Sequence, residues 1–74
     1  MNDQETEALT WEDSYAIALA LQAAHSDISL EEVSLKMIYF WTLDLPQFQD
    51  DPQFANDAIL TDIYREWYEE VNTL

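Results

Sequence analysis

At 74 residues the chain has the length of one small domain, and its 16 Asp and Glu against 2 Lys and Arg give a formal net charge of −14. So acidic a surface is repelled by nucleic-acid phosphates and anionic lipid, and it attracts basic protein patches and hard cations. The absence of cysteine and the single histidine exclude disulfides and the usual zinc ligand sets, while the absence of glycine excludes Gly-rich phosphate loops and dinucleotide fingerprints.

A domain this short sits near the lower limit of independent stability, so its core must draw on large side chains. Three Trp, four Tyr and three Phe supply them. No segment is apolar for long enough to span a bilayer, and the N-terminus lacks a basic, apolar targeting pattern, so a cytoplasmic location is expected.

Residues 1–8 (MNDQETEA) read as a disordered acidic tail, and a single helical domain is expected over 9–74. The first helix is predicted over 12–24, with Thr10 or Asp13 as N-cap and Ile17, Ala20, Leu21 and Ala24 repeating at helical spacing. Glu12 and Asp13 complement the helix dipole, and His25 closes the helix in a structural role. A short second helix is predicted over 30–33, where Ser29 and Glu32 form a capping box. A third follows over 34–43, with Ile38, Trp41 and Leu45 along one side. The stretch 45–52 is a loop, broken by Pro46, Pro52 and the Asp50-Asp51 pair. Asn56 then caps the last helix, Asp57 lies in its first turn, and Leu60, Ile63, Tyr64, Trp67 and Val71 make the clearest apolar stripe in the chain. Trp11, Trp41 and Trp67 are expected in the core, and Tyr39 and Tyr68 partly exposed. With no alternating strand, the fold class is all-α: a small helical bundle with a helix-turn-helix-like middle and a long amphipathic C-terminal helix.

Three groups of residues carry chemistry. Asp50 and Asp51, near Asp44 and Asp57, could offer oxygen ligands to a hard cation, yet alone they read first as a solvated acidic turn. On the last helix Asp62, Glu66, Glu69 and Glu70 lie opposite the apolar stripe, with Arg65 spaced to pair with Asp62 or Glu69. From residue 49 onward Asp50, Asp51, Asp57, Asp62, Glu66, Glu69 and Glu70 face Arg65 alone. Such clustering repels itself, which points to a functional acidic face. His25 stands near no recognisable nucleophile, and a chain this short can scarcely enclose a paired-carboxylate active site, so no enzyme is expected.

Several stretches, taken together, resemble one family. Trp11-Glu12-Asp13-Ser14 with Ile17-Ala18 and Leu21 follows W-x-D-S-x-x-I-A-x-x-L, and His25-Ser26-Asp27 is similar to H-P-D. Val33, Trp41 and Leu45 stand where the pattern has V, W and L. Phe48-Gln49-Asp50-Asp51-Pro52 is similar to F-D-D-D-P, Asn56-Asp57 with Ile59-Leu60 to N-E-x-I-L, and Ile63, Trp67 and Glu70 to I-x-x-x-W-x-x-E. This ordered set, without a gap from Leu9 to Glu70, resembles the IscX (YfhJ-like) family of iron–sulfur cluster assembly proteins. The resemblance implies a modified winged-helix, essentially helical, monomeric domain with no tightly bound cofactor. It also implies an acidic face that docks on a basic patch of the cysteine desulfurase, in competition with a frataxin-type regulator, and binds ferrous iron (Fe2+) weakly. The expected docking residues are Asp13, Asp50, Asp51, Asp57, Glu66, Glu69 and Glu70, with Asp50, Asp51 and Asp57 expected for the metal. The chain departs from the pattern at Gln49, in place of the first Asp of a triplet, at Ser26, in place of a Pro, and at Ser34-Leu35-Lys36, in place of a more polar stretch. The lost carboxylate bears on metal binding more than on docking. The rival reading is an acidic nucleic-acid mimic that fills the basic groove of a DNA-binding protein. Direct DNA binding fails on charge, because Lys36 and Arg65 are the only bases.

Overall fold

The computed structural model describes residues 8–72 and is all-helical. Of the acidic tail expected over 1–8, all but Ala8 lies outside the described residues. Three helices, α1 (Ser14–Ala24), α2 (Leu35–Leu43) and α3 (Asp57–Val71), are joined through single 3-10 turns at Leu30–Glu32 and Pro52–Phe54. Among the described residues no strand forms, and β-type pairing is limited to an isolated parallel bridge between Leu9 and Phe48. There the Leu9 N–H donates to the Gln47 carbonyl at 2.9 Å, and the Gln49 N–H donates to the Leu9 carbonyl at 2.9 Å.

The cap residues explain where the helices begin. Asn56 Oδ1 accepts the Ile59 N–H at 2.9 Å and starts α3 where expected. Ser34 Oγ accepts the Met37 N–H at 3.1 Å, and Met37 Sδ accepts the Ser34 N–H at 3.4 Å, a reciprocal box in which a thioether replaces the usual carboxylate. The capping box expected at Ser29 does not form: the Ser29 side chain makes no cap bond, and the Glu32 N–H bonds to the Ser29 backbone carbonyl instead. Val33 is extended and stops this segment after one turn, so there is no helix to cap. The first helix begins at Ser14 rather than at residue 12, because residues 10–13 form a turn.

The core gathers Trp11, Ile17, Ala18, Leu21, Ile38, Leu60, Ile63 and Trp67. Truncating the large side chains among these to alanine costs a few kcal/mol each, on the order of 2–5, and α1 packs more extensively on α3 than on α2. Three expectations need correction. Ala18, rather than Ala20 or Ala24, is the buried alanine of α1. Trp41 is half-buried at the rim, where the His25 ring stacks on it at 3.8 Å between centroids. Val71 is exposed, since α3 ends with it just beyond the point where Tyr15 of α1 meets Glu70. Tyr39 is partly exposed as expected, with its inner face stacked on Trp11. Tyr68 is exposed as expected. Thr42 is fully buried, and its hydroxyl oxygen has no hydrogen-bond partner.

Candidate acidic docking surface

The acids divide into those that build the fold and those that leave their charge on the surface. Trp11 organises the first group. Its backbone N–H donates to Asp50 Oδ2 at 3.0 Å, and its indole Nε1–H donates to the Asp51 carbonyl at 2.8 Å. The second oxygen of Asp50 accepts the Asp51 N–H at 2.7 Å, and Asp51 Oδ1 accepts the Gln53 N–H at 2.9 Å, capping the turn that follows. Asp13 is the N-cap residue of α1, but its carboxylate turns backward, accepting the Thr10 N–H at 2.9 Å and the Thr10 hydroxyl at 3.3 Å. Asp50 and Asp51 are thus tied to Trp11, and Asp13 to its neighbour Thr10.

The second group lies on α3. Asp62, Glu66 and Glu70 recur every four residues and share one face. Asp62 is paired with Arg65 at 2.6 Å, both side chains about half exposed. Glu70 Oε1 accepts the Tyr15 hydroxyl at 3.2 Å, which ties the start of α1 to the end of α3. That bond, then the charge of Glu70, slight burial and the charge of Glu66, raise the Tyr15 phenol above its ordinary value of 10.0, so it stays a neutral donor at physiological pH. Glu66 and Glu70 are half-buried rather than wholly in water, and Glu69 is exposed. Asp57 stands apart: thirteen residues before Glu70, it lies about 20 Å from it along the helix axis.

The metal site expected at Asp50, Asp51 and Asp57 is not assembled. Among the described residues no group of three or more His, Asp or Glu side chains is placed to hold a metal ion. Asp50 already accepts two backbone N–H groups and Asp51 one, which leaves a poor donor set for a hard cation that wants several free oxygens. The residues present do not fit a resident iron centre. His25 donates its backbone N–H to the Leu21 carbonyl at 2.8 Å and stacks on Trp41, which accounts for it structurally. It borders an open recess of about 580 Å³ with Asp27, Ile28 and Glu32.

Two surface residues escaped the sequence reading. Tyr15 and Leu19, one turn apart on α1, are 51% and 38% exposed. Their signal is an apolar pair at a spacing of four that lies off the Ile17–Leu21 stripe.

A family model described as iron–sulphur cluster assembly matches residues 9–72. An uncharacterized protein of Pseudomonas aeruginosa is 32% identical over 63 residues, covering 85% of this chain and 96% of the relative.

Proposed function

The chain belongs to the iron–sulphur cluster assembly (IscX) family, and from that premise we propose that it is an acidic adaptor which docks on a basic patch of the cysteine desulfurase, competing there with a frataxin-type regulator. The observation that carries the reading is the charge. Two cations cannot neutralise sixteen acids, and Arg65 is engaged within α3 itself. The face formed by Glu66, Glu69 and Glu70, with Asp13, Asp50 and Asp51 at the start of α1, complements a basic protein surface. Such complementarity speeds encounter and fixes orientation. A resident metal has no part in this role, and neither does a catalytic group.

Calorimetric titration into the desulfurase at low and high ionic strength tests the proposal. Affinity should fall steeply with salt, because exposed charges are screened beyond about 10 Å at 0.1 M. Equal affinity at both would sink the electrostatic account. Failure to bind the desulfurase at all, with tight binding to a nuclease or repressor, would favour the nucleic-acid mimic.

A further inference from the structure

An amphipathic ridge runs beside the α3 acids. Tyr15 and Leu19 share one face of α1, away from its buried stripe, and remain 51% and 38% exposed. The Tyr15 hydroxyl holds the Glu70 carboxylate at the edge of its ring, and Glu66 lies one turn away on the same side of α3, close enough to act on the phenol. An aromatic face with two carboxylates at its margin matches one kind of side chain above others. A guanidinium is planar, stacks on aromatic rings and forks onto carboxylates, whereas an ammonium is a compact, strongly hydrated point charge. Leu19 supplies apolar surface for the aliphatic stem of such a residue. A second copy of the chain is a poor occupant, since each carries −14 and its arginine, Arg65, is bonded to Asp62.

We propose that Tyr15 and Leu19, framed by Glu66 and Glu70, form the anchor that seats an arginine of the basic partner. The inference rests on the docking reading above and specifies where its energy concentrates. Interface energy gathers at a few desolvated aromatic and arginine contacts, while the surrounding charges set rate and orientation.

The test compares two variants of the full chain in titrations into the desulfurase, with circular dichroism to verify the fold. Tyr15→Ser combined with Leu19→Ser changes no charge, so the salt dependence should persist while affinity falls by about thirtyfold, as for a hot spot. Glu66→Gln, Glu69→Gln and Glu70→Gln together should flatten the salt dependence. If the serine variant binds like the native chain while the glutamine variant loses affinity, docking stands and the anchor is wrong. If both bind like the native chain, the docking reading falls and takes the anchor with it. The arginine assignment has its own readout. An oligo-arginine peptide should shift the NMR signals of Tyr15 and Leu19 more than an oligo-lysine peptide of equal length, and equal shifts would overturn it.

Discussion

Asp50 is a surface acid with a structural duty. Its two oxygens receive the N–H groups of Trp11 and Asp51, so replacing it by alanine leaves the partly buried Trp11 donor unsatisfied, while the exposed Asp51 N–H can turn to water. Asp50→Ala should cost about 1–3 kcal/mol, read as a lower midpoint in urea with an unchanged slope. A midpoint equal to that of the native chain would contradict the assignment. Lost partner binding in an Asp50 variant therefore does not by itself report on docking, and the same holds of Glu70, to which the Tyr15 hydroxyl is bonded. Tyr15 yields a pH signature. Its folded phenol titrates above 10.0 because it donates to Glu70, so its contribution is whole below that pH and is lost as pH rises through the folded value. Phenolate absorbance should show one late-titrating tyrosine that disappears in Tyr15→Phe, whose stability should also fall less steeply at alkaline pH. Identical titrations of the two proteins would dismiss the contact. At this scale the sequence is only half legible. Trp11 reads correctly as a core residue, but its partners lie 39 and 40 positions away, beyond any local pattern. Asp13 reads as a cap at the right place, yet its carboxylate faces the preceding turn.

Elements were more legible than their details. The periodicity of α3 locates Leu60, Ile63 and Trp67 in the core, because a regular amphipathic helix registers its contacts locally. The two serine caps show the limit. Ser29 with Glu32 carries the better motif, but Ser34 with Met37 makes the box, since a cap matters only where a helix continues beyond it. Asn56→Ala and Ser34→Ala should each cost about 1 kcal/mol, with Ser29→Ala within a few tenths. Thermal melts of the three variants provide the check, and a large loss at Ser29 would contradict the single 3-10 turn.

For the whole molecule, the acidic, all-helical class was legible, but the core expected from the aromatics is mostly aliphatic, with Trp11 and Trp67 as its aromatic members. The uneven use of the acids was hidden, because whether a carboxylate is bonded to backbone or left on the surface depends on tertiary contacts. A fold with a core of its own, and with no metal site assembled among the described residues, should melt at the same temperature with and without chelator. Moderate salt should raise that temperature, as self-repulsion among the acids is screened. A large loss of stability on chelation would reinstate a structural metal.

The Trp11 clasp also bears on the order of assembly. Helices form from near neighbours, whereas the clasp, like the packing of α1 on α3, must close a span of about forty residues or more, so it belongs with the later, long-range contacts. Changes there should leave refolding almost as fast as in the native chain and appear chiefly as quicker unfolding, which stopped-flow kinetics on Trp11→Phe can read. On that account the persistence of the folded molecule in time depends in part on the segment that leads into its first helix, which only long-range contacts fasten.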